Sequence, residues 1–296
     1  MRTDVSVVII SFNTKTLTIN CIKSIVNEGS SLTKEIIIVD NGSTDGSKEA
    51  IEKYSRESAG ATSMISKEGG GGVAPIRVNS RKPTLSLINN QTNLGFAKAN
   101  NQGIGEAKGE YILLLNSDTQ VKQDSIGRLI EFAEKEEFAG VVGPRLLNPN
   151  GTTQASVFRQ PTLSRAIKQY WLGSERVLDK YFPEERDPVE VEVLVMSAFL
   201  ITPQAKEKVG LLDERYFMYF EDFDYCKRVR EVGLKVYYYP GAQVIHCHGE
   251  SGKMLADKEN QWRRLIPSSK IYHGTLKHYL LNFIIWSSQK WQRLLK

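Results

Sequence analysis

Apolar residues in this chain fall into short unbroken runs that stop abruptly on polar ones. Val5-Ser6-Val7-Val8-Ile9-Ile10 stops at Ser11-Phe12-Asn13, Glu35-Ile36-Ile37-Ile38-Val39 at Asp40-Asn41, and Tyr111-Ile112-Leu113-Leu114-Leu115 at Asn116-Ser117-Asp118. Runs of this length and branched content predict strands buried on both faces, as in a parallel sheet. Leu85 to Ile88 predicts a shorter strand. Between the runs, apolar residues recur at helical spacing: Leu17, Cys21, Ile22 and Ile25, then Ala50, Ile51 and Tyr54, then Phe96 to Ala107 and Ser125 to Lys135. Strand and helix thus alternate from Val5 to Leu115, which predicts an α/β fold with helices on both faces of a mostly parallel central sheet.

The texture changes after Ala139. Gly151 to Gln160 reads as a loop or hairpin, Ala166 to Tyr181 as a helix, Val189 to Ile201 as a strand or strand pair, and Ala205 to Val209 as a short helix. Tyr216 to Phe220 delivers Glu221-Asp222, and Phe223 to Glu231 predicts a helix with Gly233 at its C-terminal cap. Lys235 to Pro240 and Ala242 to Ile245 are strand-like and end in His246-Cys247-His248-Gly249. The stretch from 58 to 82 holds four consecutive glycines. It reads as a surface insert, because it lacks the Lys-Ser/Thr ending of a phosphate-binding P-loop.

Composition narrows the class. A chain of 296 residues, 41% apolar and 25% charged, buries a substantial core. The net charge of +5 suits phosphate-bearing ligands or an acidic membrane surface without demanding nucleic acid. Cys21, Cys226 and Cys247 are odd in number and widely spaced, so a reducing, cytoplasmic setting is expected. The N-terminus enters a strand directly, without a signal-peptide pattern, and no apolar run reaches the roughly 18 residues of a membrane span.

The candidate chemistry gathers at strand ends, where open α/β sheets bind ligands. Asn13, Asp40 and Asp118 could share one crevice. Asp40 could accept hydrogen bonds from a base or sugar, and Asp118 could hold a divalent cation. Each also fits an ordinary turn. Asn93 and Asn100 flank a helix start, and Lys98 is a phosphate partner or a solvated helix lysine. Glu221-Asp222 follows an aromatic wall that could raise a carboxyl toward the range of a general base. A favourable helix-dipole position explains it equally well. His246 and His248 would face one side of a strand, but no structural-zinc spacing accompanies them.

Taken in order, Val5 to Asn13, Val39 to Gly46, Asn93-Leu94-Gly95-Phe96-Ala97-Lys98-Ala99-Asn100-Asn101, Leu115-Asn116-Ser117-Asp118-Thr119, Gly143 to Leu147, Phe220-Glu221-Asp222-Phe223-Asp224 and His246 to Ser251 resemble family 2 glycosyltransferases of the GT-A fold, within their rhamnosyltransferase-like branch. The resemblance implies a Rossmann-like domain over 1–265, with a nucleotide-sugar half (1–120) and an acceptor and catalytic half (121–265), followed by a helical tail (266–296). It implies that Ser11, Phe12, Asn13, Asp40, Asn41, Asn93, Lys98, Asn100, Asn116 and Ser117 line the nucleotide-sugar site. Asp118 and His246 would hold Mg2+ or Mn2+, and Asp222 would act as catalytic base with Glu221 as the nearby alternative. Asn116 stands where many relatives have Asp, which leaves fewer charged metal ligands.

The implied reaction is an inverting transfer to a glycan or a polyprenyl-diphosphate-linked acceptor, with dTDP-L-rhamnose the foremost donor. UDP-galactofuranose, UDP-glucose and UDP-GlcNAc are the other donors, and a non-catalytic nucleotide-sugar-binding protein is the competing class. A nucleotidyltransferase would place a Gly-rich, Arg-containing loop where Ser11-Phe12-Asn13-Thr14 stands. The aromatic and basic tail suits either an interfacial helix at the cytoplasmic face of a membrane or a helix packed on the core.

Overall fold

The computed structural model describes residues 3–59, 83–247 and 258–294. Most of the 58–82 insert, and His248 through Ser251 of the last motif, lie outside the described residues. The order is β1 (Val5–Ser11), α1 (Lys15–Asn27), β2 (Lys34–Asp40), α2 (Ser47–Ala59), β3 (Thr84–Asn89), α3 (Phe96–Glu106), β4 (Tyr111–Asn116), β5 (Thr119–Val121), α4 (Ser125–Lys135) and β6 (Ala139–Leu147). There follow β7 (Val157–Phe158), α5 (Leu163–Tyr170), β8 (Val189–Glu190), β9 (Val193–Leu194), β10 (Ala198–Ile201), α6 (Pro203–Lys208), α7 (Glu221–Glu231), β11 (Lys235–His246), α8 (Lys258–His273) and α9 (Thr275–Leu294).

Strand order in the main sheet is β3-β2-β1-β4-β10-β6-β11-β5, with β8 on β11. The first four strands are mutually parallel, as their doubly buried runs require. Alternation along each strand splits its residues between two cores. Val7, Ile9, Ile36, Ile38, Leu113 and Leu115 pack with Cys21, Ile22 and Ile25 of α1, while Val8, Ile37, Ile112 and Leu114 pack on the opposite face with Tyr225, Cys226 and Val229 of α7. Helix α3 lies so close to β1 that a Cβ on Gly103 would stand 2.3 Å from Val8 Cγ1.

The second half departs from the sequence pattern in several places. The helix expected over 166–181 is α5, which starts at Leu163, where Thr162 caps it by accepting from the Arg165 N–H, and ends at Tyr170. Beyond it the chain turns through Gly173 and Arg176, both with positive φ, and Tyr181 exchanges backbone hydrogen bonds with Val157. The single strand or pair expected over 189–201 is three short strands with different partners: β8 on β11, β9 on β7, and β10 between β4 and β6, antiparallel to both. The two segments after Leu234 are one strand, β11, interrupted by a register shift between Tyr239 and Gln243. Helix α8 runs across the expected boundary at 265.

Candidate active site

Register sets the end of the site expected to hold the nucleotide. Ser11 lies opposite Asp40, and Ile10 opposite Asn116, so the polar ends of β1, β2 and β4 stand side by side. Asn13 adopts a left-handed backbone (φ 53°), which Asn tolerates. Its amide N–H donates to Ser43 Oγ at 2.9 Å and its Oδ1 accepts from the Thr44 N–H at 2.7 Å, which ties the loop after β1 to the loop after β2. Phe12 beside it is half-buried. Asp40 Oδ1 accepts from both the N–H and the hydroxyl of Ser43, yet burial pushes its carboxyl above the usual range. Asn41 donates to Asn93 Oδ1 at 3.0 Å and accepts from the Leu94 N–H at 3.0 Å, so the two asparagines shape the loop before α3.

Other expected contacts are spent inside the protein. The hydroxyls of Ser11, Thr14, Thr18 and Ser117 form one buried network, in which Thr14 Oγ1 donates to Ser117 Oγ at 2.9 Å. It straps the end of β4 to α1. Asn100 Nδ2 donates back to Phe96 O within α3, and Lys98 is exposed on the same helix.

The end expected to hold the metal and diphosphate is built by the return of β11 along β5. His246 lies opposite Thr119, and the Cys247 N–H donates to Asp118 O at 2.9 Å. The pairing brings His246 Nε2 to 3.4 Å from Asp118 Oδ1, with both side chains buried. Gln154 fixes the ring. Its Nε2 donates to Asn148 Oδ1 at 2.9 Å and to His246 O at 3.3 Å, so its Oε1 is the atom 2.7 Å from His246 Nδ1. A carbonyl oxygen there requires Nδ1 to carry a proton, which turns Nε2 toward Asp118. Beside them Asn116 Nδ2 reaches Ser197 Oγ at 3.4 Å, while Asn116 Oδ1 is buried and accepts no hydrogen bond among the described residues. An amide oxygen at the end of β4, a carboxylate in the turn after it and an imidazole nitrogen at the end of β11 make a donor set whose chemistry fits Mg2+ or Mn2+.

The end of the site expected to carry the catalytic base is the first turn of α7. Tyr219 and Phe220 both have left-handed backbones, at φ 70° and 69°, a conformation that takes on the order of 1–3 kcal/mol per residue to hold. The surroundings hold it. Phe96 N–H donates to Phe217 O at 2.7 Å, and a Cβ on Gly95 would stand 2.6 Å from that oxygen, so α3 and this loop meet at a place only glycine fits. From the other side, Ser268 Oγ of α8 donates to Met218 O at 2.8 Å, and the Phe220 ring packs on Tyr272 at 5.3 Å. The helix starts at Glu221, two residues earlier than the pattern predicts, which puts the acidic pair inside it. Burial raises both carboxyls, and the Asp222 charge raises Glu221 further. Glu221 Oε2 is buried and accepts no hydrogen bond among the described residues, whereas Asp222 Oδ1 accepts from the Phe223 N–H at 2.9 Å. The Lys180 ammonium pulls Asp222 partway back down, and burial lowers Lys180 itself.

Gln154, Ser197 and Lys180 were outside the sequence reading. Each sits in a segment without a motif, and only long-range pairing brings it to the site. The chain matches the family model described as Glycosyl transferase family 2 over residues 6–183, more than half its length. It is 29% identical to the N-acetylglucosaminyl-diphospho-decaprenol L-rhamnosyltransferase of Mycobacterium tuberculosis over 240 residues, covering 73% of this chain and 67% of that protein. It is 26% identical to rhamnosyltransferase WbbL of Escherichia coli K12, over 57% of this chain and 66% of that one. Among solved structures, the mannosyltransferase PcManGT of Pyrobaculum calidifontis, in complex with GDP-Man and Mn2+, superposes with a TM-score of 0.60 at 14% identity, covering 98% of this chain and 74% of that one. With the strand-end crescent and the acidic helix start already in place, these matches make the chain a rhamnosyltransferase-like member of glycosyltransferase family 2, with the GT-A fold.

Proposed function

We propose that the enzyme moves L-rhamnose from dTDP-L-rhamnose to a hydroxyl of a lipid-linked or growing surface glycan, with inversion at the anomeric carbon. The observation that carries the mechanism is the buried Asp118–His246 pair, with its ring orientation imposed by Gln154. Asn116, Asp118 and His246 would hold a divalent cation. When bound, that ion supplies positive charge to the departing diphosphate. The nucleotide lies along Asp40 and the loops that Asn13, Asn41 and Asn93 shape. Ser11 and Ser117 hold that frame from within, through their hydroxyl network.

Asp222 takes the proton of the acceptor hydroxyl as its oxygen bonds to the anomeric carbon and the bond to the diphosphate oxygen breaks. A carboxyl raised by burial is a stronger base than a solvated one, and its conjugate acid stays closer to the working pH. Thermal shift against a panel of nucleotide sugars, each with Mn2+ or Mg2+, tests the donor. Stabilisation by dTDP-rhamnose and not by UDP-sugars supports it, and the reverse refutes it. Asp222→Asn should abolish transfer while this stabilisation persists, and normal turnover by that variant would refute the base assignment.

The tail supports a peripheral membrane contact. Among the described residues no helix is long and apolar enough to cross a membrane. Yet Leu276, Tyr279, Phe283 and Trp286 of α9 are each more than half exposed and recur every three to four residues, and exposed Leu294 follows two turns on. The helix carries Lys277, Lys290 and Arg293 and no acidic residue. An exposed apolar stripe with basic flanks suits an anionic lipid interface.

A further inference from the structure

Between β7 and the chain after α5 lies a cavity of about 340 Å3, lined by Arg159, Glu175, Arg176, Val177 and Tyr181. It is a built feature. Tyr181 and Val157 exchange two backbone hydrogen bonds of 2.9 Å, which bring Arg159 over the Tyr181 ring at 4.4 Å from its centre. Arg159 Nη1 donates to Arg176 O at 3.2 Å, and Arg176 has a left-handed backbone, φ 57°. Nearby Arg165 is neutralised by a two-pronged bond to Glu192. Among the described residues, neither Arg159 nor Arg176 is in an ion pair. Glu175 is the one carboxylate among the lining residues, against two arginines. Planar guanidinium forks over an aromatic floor suit phosphate oxygens.

The position of the cavity gives it a role. Tyr181 follows Lys180, whose ammonium lies over the Phe158 ring at 5.8 Å, and that ring packs against Phe223, the neighbour of Asp222, at 5.1 Å. At the other end, the same stretch of chain begins with exposed Trp171 and Leu172. The Trp171 ring centre lies 6.5 Å from that of Trp291 in α9, and Ser288 of α9 donates to Tyr170 O. The loop from 171 to 181 therefore runs from α9 at Trp291, itself 53% exposed, past Arg176 and the overlying Arg159, to Lys180 beside the acidic helix start. An amphiphile made of an apolar chain, a diphosphate and a sugar carries the same three parts in the same order.

We propose that the Arg159–Arg176–Tyr181 cavity is a diphosphate subsite for the acceptor, gripping the phosphates of a polyisoprenyl-diphosphate-linked sugar. This rests on the lipid-linked acceptor reading above. Farnesyl diphosphate below its micellar concentration is the probe, titrated calorimetrically in EDTA so that a metal-dependent diphosphate site does not contribute. The Arg159→Gln/Arg176→Gln double variant should bind it at least about tenfold more weakly, as expected for lost charge-assisted hydrogen bonds. Glu175→Gln, which removes an exposed repulsive charge, should bind it about threefold more tightly. Unchanged affinity in both variants overturns the site. The gain of function by Glu175→Gln keeps the test open should the double variant fold poorly. Inorganic pyrophosphate is the second arm: weaker binding than farnesyl diphosphate supports a lipid-linked ligand, and equal binding overturns that source. Thermal shift with nucleotide sugars is read in parallel on all variants. Its failure in the parent chain would refute the donor assignment and leave the farnesyl diphosphate result to stand on its own.

Discussion

Gln154→Leu removes a side chain that orients His246. The variant keeps much of the volume and loses every polar contact: the acceptor at 2.7 Å from His246 Nδ1, and the donors at 2.9 Å to Asn148 Oδ1 and 3.3 Å to His246 O. Asn148 is half-buried and can turn to water, but His246 is buried and its Nδ1–H is left without this partner. Stranding such a group takes about 1–3 kcal/mol, so the unfolding free energy should fall by about 2 kcal/mol. The larger effect is on the ring. Without Oε1 the proton is free to move to Nε2 and donate to Asp118 Oδ1, 3.4 Å away, which closes the pair on itself. Loss of such an outer partner typically weakens metal binding about 10–100-fold. Titration of Mn2+, followed by the electron paramagnetic signal of the unbound ion, gives the affinity directly. The chain has only four histidines, so 15N–1H correlation spectra of the rings resolve which nitrogen of His246 carries the proton. Mn2+ affinity within about twofold of the parent, with an unchanged His246 ring pattern, would refute the assignment of Gln154 as the orienting residue.

Gly95→Ala places a methyl 2.6 Å from Phe217 O on a backbone at φ 90°, so urea unfolding should show a loss of about 2 kcal/mol or more, with weaker donor stabilisation as the loop shifts. The acidic pair makes stability depend on pH with a definite sign. Both folded carboxyls lie above their unfolded values, so the native state binds more protons in the window between. Stability is therefore greatest below that window and falls as pH rises through it, and Glu221→Gln should flatten the slope in thermal unfolding across mildly acidic to neutral pH. A slope unchanged by Glu221→Gln would place the titration elsewhere. Phe283→Ser/Trp286→Ser, at positions exposed by 60% and 56%, should leave the unfolding midpoint in place and abolish flotation with anionic liposomes. Flotation equal to the parent would remove α9 as the contact.

The sequence carried the parallel half of this fold almost completely, and the reason is physical. A strand buried on both faces has no polar alternation to hide, so β1, β2 and β4 announce themselves as apolar runs, and their ends as the first polar residues after them. Register then does what composition cannot, aligning Ser11 with Asp40 and Ile10 with Asn116, so that three separate turns become one crescent. The second half was less legible because its strands are two to four residues long and take partners far away in sequence: β7 pairs β9, and β8 pairs β11. A segment of two residues has no period to read. Gln154 lies outside any strand, between β6 and β7, and nothing in Thr152-Thr153-Gln154-Ala155 distinguishes a residue that orients a buried histidine from one that faces water.

The same reasoning separates the two ends of the site. Asp118 and His246 are positioned by backbone pairing, through β5 along β11 and the Cys247 amide, and so inherit the rigidity of the sheet. Glu221 and Asp222 are positioned by a strained loop that α3 and α8 press from opposite sides. The proposed leaving-group end is thus built into the sheet, whereas the acidic pair depends on the C-terminal helices for its geometry. A change in how α8 and α9 sit, as on docking to a lipid surface, would act first on the residues proposed to receive the acceptor.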